Sequence, residues 1–286
     1  GSTASSYTVS MWVKTSRSSG TATSALWWNA ANSKLNWELN DNGQIYYYDA
    51  GTPRTTAYYR DTTAWYHIVF KVDSNTGTLY VNGAASAGLT GAGSILSLQT
   101  GNALQIGADN GGSTFDGYIA EVCFIDGSAL NPTSFGEFDE DSPTIWKPID
   151  VSGLTFGTKG FYLSFSDSAD LGADSSGNGN DLTATNLAAT DQATDTPTNN
   201  FCTLNPLVDW YSDATLSEGN CTSVAGSGSW KGEKGTIAVN KGKWYWEVKL
   251  SAGTIANYFL GVQEINVEGA AADNSQQLAG TLVFYN

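Results

Sequence analysis

The sequence predicts an all-β protein built of sandwiches, and three observations predict it. Short segments alternate apolar and polar residues with a period of two. Turns rich in Gly and Asn separate them. No segment sustains a helical period. The composition agrees: only 14% of the 286 residues are charged and 12% are aromatic, a balance that favours pleated, half-buried surfaces.

The elements follow in order. In YTVSMWVKT (7–15), Tyr7, Val9, Met11 and Val13 share one face, and Thr8, Ser10, Trp12 and Lys14 share the other. KLNWELN (34–40) repeats the pattern with Leu35, Trp37 and Leu39. Asp41, Asn42 and Gly43 then turn the chain into QIYYYD. WYHIVFKVD (65–73) directs Tyr66, Ile68, Phe70 and Val72 inward, and TLYVNG returns with Leu79 and Val81 inward. ALQIG (103–107), FDGYIAEVCFID (115–126) and GFYLSF (160–165) complete at least eight strands. NPTSFGEF (131–138) has room for one short helical turn. Many short antiparallel strands, each with one apolar face, make a two-sheet sandwich or jelly roll.

These segments also carry a resemblance. YTVSMWVKTS, WYHIVFKVDSNTGTLYVNG, LQIG and FDGYIAEVCFIDGSAL, in that order, resemble a laminin-G-like, concanavalin A-like lectin domain. The longer run through IWKP, GFYLSFSD, DSSGNGNDL and TDTPTNNFCTLNPL is similar to tail-fibre and other structural proteins of bacteriophages, marine ones especially. GKWYWEV followed by YFLGV is similar to the opening strands of a SPRY-type β sandwich. The expected layout is a jelly roll over 1–180, a linker over 181–205 and a partial, truncated SPRY-like sandwich over 206–286. In that second region Trp244, Trp246, Val248 and Leu250 alternate against Tyr245, Glu247 and Lys249 as a strand would. The resemblance implies a non-enzymatic virion protein at the particle surface or tail. It would assemble with other virion proteins or with copies of itself and bind host-surface glycans. A purely architectural decoration or fibre-shaft role and a glycoside hydrolase are the alternatives.

Charge narrows the partners. The formal net charge is −15, with no Lys or Arg between Lys71 and Lys147 or between Lys159 and Lys231. Such a surface repels nucleic acid. No apolar run reaches membrane length, so membrane insertion is not expected. Three Cys and no CxxC argue against a disulfide framework or a zinc site; Cys123 reads as a buried free thiol.

Four places can hold chemistry or a ligand. EFDED (137–141) alternates Glu137, Asp139 and Asp141, the pattern of a laminarinase-like acid row. Glu140 opposes that reading, because a residue between the acids of a catalytic strand points into the core, where an unpaired carboxylate is costly. Gly136 and Ser142-Pro143 break the strand as well, so no catalytic residues are assigned and the pentapeptide is expected as an exposed loop. The single histidine, His67, lies on the polar face of its strand, where Trp12 and Tyr80 are expected as neighbours. DSADLGADSSGNGND (167–181) offers Asp174, Asn178 and Asp181 as oxygen ligands for a structural calcium ion; the same residue types also make turns for backbone reasons alone. Finally, Trp27, Tyr46, Tyr48, Tyr58 and Arg60 are candidates for an aromatic and polar glycan platform, or rings packed beneath loops.

Overall fold

The computed structural model describes residues 5–17, 23–29, 33–38, 43–48, 54–74, 76–92, 103–206, 214–224, 233–251, 259–262 and 282–285. The chain divides into two compact units, Gly1–Phe201 and Cys202–Asn286.

The first unit is two facing antiparallel sheets. Its strands are β1 (Tyr7–Thr15), β2 (Thr23–Asn29), β3 (Ser33–Glu38), β4 (Gln44–Tyr48), β5 (Tyr66–Asp73), β6 (Thr76–Val81), β7 (Ala84–Ala92), β8 (Leu104–Ile106), β9 (Gly117–Asp126), β10 (Gly136–Phe138), β11 (Trp146–Pro148) and β12 (Phe161–Leu163). One sheet runs β12-β9-β1-β5-β6-β7 and the other β4-β3-β2-β8, while β10 and β11 form a hairpin of their own. The core lies between the sheets. Tyr7, Val9, Met11 and Val13 of β1 and Tyr66, Ile68, Phe70 and Val72 of β5 meet Leu26, Trp27, Leu35 and Ile45 there, which is the inward face the alternation predicts. The expected helical turn is a single 3-10 turn, Pro132–Ser134.

The larger sheet is covered on its other face too. Val69, Cys123 and Ile125 pack under Phe135, Val151 and Phe156. Trp12, Trp65 and Trp146 form a second outer cluster. Every residue of β1 is therefore buried, and its central polar face has to be satisfied by hydrogen bonds rather than water. Ser10 and Trp12 frame a bulge in β9, where Glu121 takes a left-handed φ of 51°.

Residues 181–201, most of the expected linker 181–205, belong to this unit, irregular apart from a 3-10 turn at Ala189–Asp191. Their anchor is Asp195, which is buried against Lys14.

In the second unit, β13 (Thr215–Ser217) pairs with β14 (Thr222–Val224), and β15 (Phe259–Val262) with β16 (Leu282–Tyr285). The strand expected over 244–250 is not formed: residues 243–251 carry no regular structure, and Trp244, Tyr245, Trp246 and Val248 are exposed. Alternation makes a strand only where a neighbouring backbone supplies the ladder, and none among the described residues does. Cys202 and Cys221 are exposed and not disulfide-bonded.

Candidate functional site

The residues after β4 build the most distinctive surface. Residues 54–60 run back along this edge strand as a strap. An isolated bridge joins Tyr46 to Arg54. The Thr55 amide donates to the Ile45 carbonyl at 2.9 Å, and the Tyr59 amide to the Gly43 carbonyl at 2.8 Å. Between them the Thr55 hydroxyl accepts from the Ile45 amide and donates to the Ala57 carbonyl, while the Gln44 side chain donates to the Thr55 carbonyl. An edge strand presents unpaired backbone groups, and the strap satisfies those of Ile45 in β4 and the carbonyl of Gly43 just before it.

The strap alternates. Tyr59 turns in, edge-on to Tyr66 with ring centroids 5.4 Å apart, and burial pushes its phenol up from the ordinary value. Tyr58 turns out and is 53% exposed. The Arg60 guanidinium lies over the Tyr58 ring, 5.0 Å from its centroid. Arg54, also exposed, lies over Tyr46 at 5.3 Å. Two stacked cation–aromatic pairs thus sit on one short, firmly held segment.

The candidate glycan residues divide accordingly. Tyr58 and Arg60 come together at the surface, and Tyr46 lies beneath Arg54. Trp27 does not join them. It is fully buried between the sheets, stacked on Phe161 at 6.0 Å and on Phe124 at 5.9 Å. In β2 it registers with Leu35 and Ile106, both of the inward set, so an outward ring would have needed the other parity. Tyr48 registers with Lys34, and its side chain lies outside the described residues. Arg54 was missed in the sequence; the signal available was a second arginine six residues before Arg60 in TPRTTAYYR.

EFDED stands on the surface. Glu137 and Phe138 end β10, and Asp139 opens the turn to β11 by accepting the Asp141 and Ser142 amides. Glu140 and Asp141 are exposed, as is Phe138 at 52%. Lys147 engages the acids, 3.0 Å from Asp139 and 3.6 Å from Glu137. Its hydrogen bond to Asp139 holds that carboxyl below the usual range.

His67 is enclosed. Trp12 stacks on it with centroids 4.6 Å apart, and Tyr80 registers with Val69 two residues along. The Trp146 indole donates to Nδ1 at 2.9 Å, so the ring carries its proton on Nε2 and donates to the Ser10 hydroxyl at 2.8 Å. Burial lowers its pKa to about 3. A serine beside a histidine invites a nucleophilic reading, but Nδ1 here meets an indole donor where a catalytic dyad places an acceptor.

Asp174, Asn178 and Asp181 form a turn scaffold. Asp174 accepts the amides of Tyr162, Ser176 and Asn180 and the Ser176 hydroxyl. Asp181 accepts the Asp174 amide, and Asn178 donates to the carbonyls of Gly157 and Gly160. The Asp174 oxygens face N–H donors, the opposite of what a cation needs, and no group of three or more His, Cys, Asp or Glu among the described residues is arranged to hold a metal.

With this geometry in hand, residues 2–134 match the family model of the concanavalin A-like lectin/glucanases superfamily. The first unit has a concanavalin A-like fold. Among solved structures, the chain is similar to a protein from Bacteroides ovatus described as carbohydrate-binding: 18% identity, TM-score 0.38, covering 46% of this chain and 40% of that one. It is similar also to domain 4 of an extracellular arabinanase from Geobacillus stearothermophilus, solved with arabinotriose: 22% identity, TM-score 0.36, 46% and 65% covered. A SAP-like pentraxin from Limulus polyphemus shows 15% identity and a TM-score of 0.33, with 45% and 66% covered. The chain therefore spans less than two thirds of the length of the first two. No curated protein matches.

Proposed function

We propose that this chain is a non-catalytic carbohydrate-binding component of a bacteriophage particle, displayed at its surface or tail and engaging host-surface glycans. The observation that carries the binding part is the exposed Tyr58 ring, held with Arg60 on a strap hydrogen-bonded to β4. A sugar presents C–H faces to a ring and hydroxyls to the polar groups beside it, and a fixed platform lowers the ordering cost of binding. The concanavalin A-like fold agrees with this reading.

The non-catalytic part is supported by the acid row. Glu137 and Asp139 lie on an exposed hairpin, both engaged by one lysine, and the residue between Asp139 and Asp141 is in water. The phage part rests on the motif order of the sequence, as does the SPRY-like reading of the second unit; other virion proteins or further copies of the chain would be its assembly partners.

A glycan array with the intact chain tests the binding part. Binding that falls about tenfold in Tyr58→Ala supports it. An array without signal from the folded protein removes it and leaves the architectural role. Release of reducing sugar from polysaccharides, lost in Glu137→Gln, would overturn the non-catalytic assignment.

A further inference from the structure

We propose that Lys14 and Asn200 join in an intramolecular amide bond, Nζ to Cγ, with Asp195 relaying the protons. The hydrogen-bonded triad is the resting arrangement, and the covalent bond accumulates with time. Its formation is independent of carbohydrate binding.

A nucleophile, an electrophile and a proton carrier meet at one point. The Lys14 side chain is 1% exposed and that of Asp195 5%. Lys14 Nζ donates to Asp195 Oδ2 at 2.7 Å, to Asn200 Oδ1 at 2.7 Å and to the Phe201 carbonyl at 3.0 Å. The Asn200 carboxamide is held at both ends, because its Nδ2 donates to the Thr63 carbonyl at 2.6 Å. Its carbonyl carbon is one bond beyond Oδ1, which places Cγ at most about 4 Å from Nζ. A near-attack contact is about 3–3.5 Å, so a small rotation at the lysine end suffices. Asp195 is fixed as well, since the Trp65 indole donates to its Oδ1 at 2.8 Å. Trp65 is buried, and the Tyr118 ring centroid lies 5.7 Å from Nζ, so aromatic rings flank the amine.

The atoms balance without an oxidant or a co-reactant. A proton passes from Nζ to Asp195 Oδ2 along their hydrogen bond, leaving an amine and a carboxylic acid in place of two buried charges. The amine lone pair forms the bond to Asn200 Cγ, and the π electrons of the carbonyl move to Oδ1. Asp195 gives its proton to Nδ2 and takes the second proton of Nζ. The carbonyl then re-forms as the Cγ–Nδ2 bond breaks. Ammonia departs with the proton that Asp195 holds, as ammonium. Asn200 is exposed, which gives the leaving group a path to water. Lys14 and Asn200 are 186 positions apart, so the product encloses β2–β12 in one covalent loop. Closing a loop of that length restricts the unfolded chain more than the folded one.

The experiment is intact-mass spectrometry of the full chain during incubation at neutral pH below its melting temperature, with peptide mapping of the product. The expected result is a growing species lighter by one ammonia, whose digest joins the Lys14 peptide to the Asn200 peptide. Asn200→Ala and Asp195→Asn, checked by thermal melting, should form no such link. Should Asp195→Asn fail to fold, Asn200→Ala still decides, because it keeps the Lys14–Asp195 pair. A chain that holds its full mass throughout overturns the proposal. So does a loss of ammonia without joined peptides, since a succinimide at an asparagine loses the same mass. A link from Lys14 to Asp195, lighter by one water, overturns the assignment to Asn200. A Lys14–Asn200 link that forms equally fast in folded Asp195→Asn overturns the relay.

Discussion

A lysine whose side chain is 1% exposed must satisfy three N–H donors without water. Lys14 reaches the Asp195 carboxylate at 2.7 Å, the Asn200 side-chain carbonyl at 2.7 Å and the Phe201 carbonyl at 3.0 Å. The other Asp195 oxygen accepts the Trp65 indole N–H at 2.8 Å. Removing one partner strands the other as an unpaired buried charge. Asp195→Ala is therefore expected to cost about 3–5 kcal/mol by urea unfolding, and Lys14→Met with Asp195→Leu to regain most of it. A single variant as stable as the parent would mean that water reaches the pair. His67 sets a pH limit by the same logic. Its ordinary value is 6.5 and its folded value about 3, so between them the unfolded chain takes a proton that the folded one refuses. Stability is thus complete above 6.5 and falls with acidification, by about 2 kcal/mol from pH 7 to pH 5. Glu121 acts in the opposite sense above its ordinary 4.5, because burial raises its carboxyl and lets the folded state take up the proton first. Since His67 is the sole histidine, its ring NMR signal is unambiguous. It should stay unshifted down to pH 5, and titration near 6.5 would show the ring to be hydrated.

At the level of elements, the strap depends on Gly43. Its φ is +65°, and a Cβ built there would stand 2.5 Å from the Tyr59 carbonyl oxygen. Gly43→Ala has to displace the strap as well as adopt a conformation that side chains avoid, a backbone cost of about 1 kcal/mol. The expected signature is local. Hydrogen exchange of the Thr55 and Tyr59 amides accelerates and sugar binding weakens, while the sandwich keeps most of its stability; unchanged exchange would show that the strap holds without this close approach. The 174–181 turn is built differently, from carboxylates that already accept backbone N–H groups. Added calcium is expected to leave the melting temperature unchanged, and a rise abolished by Asp174→Ala would restore the cation reading. Both elements show what the sequence could and could not convey. Glycines and Asx residues mark turns wherever they occur, but whether their oxygens face N–H donors or open space depends on the partner segment.

Across the whole first unit, the inward faces of β1, β5 and β6 were legible because a period of two survives any packing. β2 was not, since ALWW is a continuous apolar run without alternation, and its parity decides that Trp27 is core. Nor was β7, whose AASAGLTGA offers few large side chains to read. Of the candidate site, Tyr58 and Arg60 were legible as outward aromatic and cation, whereas the Arg54–Tyr46 stack required the strap to fold back on β4. Least legible was the end of the unit, because Lys14 and Asp195 are 181 residues apart and neither position is unusual by itself. That pair makes the extent of the unit a measurable property. A fragment ending at Phe201 retains every Lys14 partner, while one ending at Gln192 retains all of β1–β12 yet removes Asp195, Asn200 and Phe201. The longer fragment is expected to unfold in one cooperative urea transition, and the shorter to be less stable by about 3–5 kcal/mol, an ammonium having been left buried without its carboxylate. In the shorter fragment, Lys14→Met should recover part of the loss, since it removes the stranded charge and keeps the volume. Equal midpoints for the two fragments would show that residues 193–201 contribute nothing to the sandwich and would return its boundary to the vicinity of residue 180.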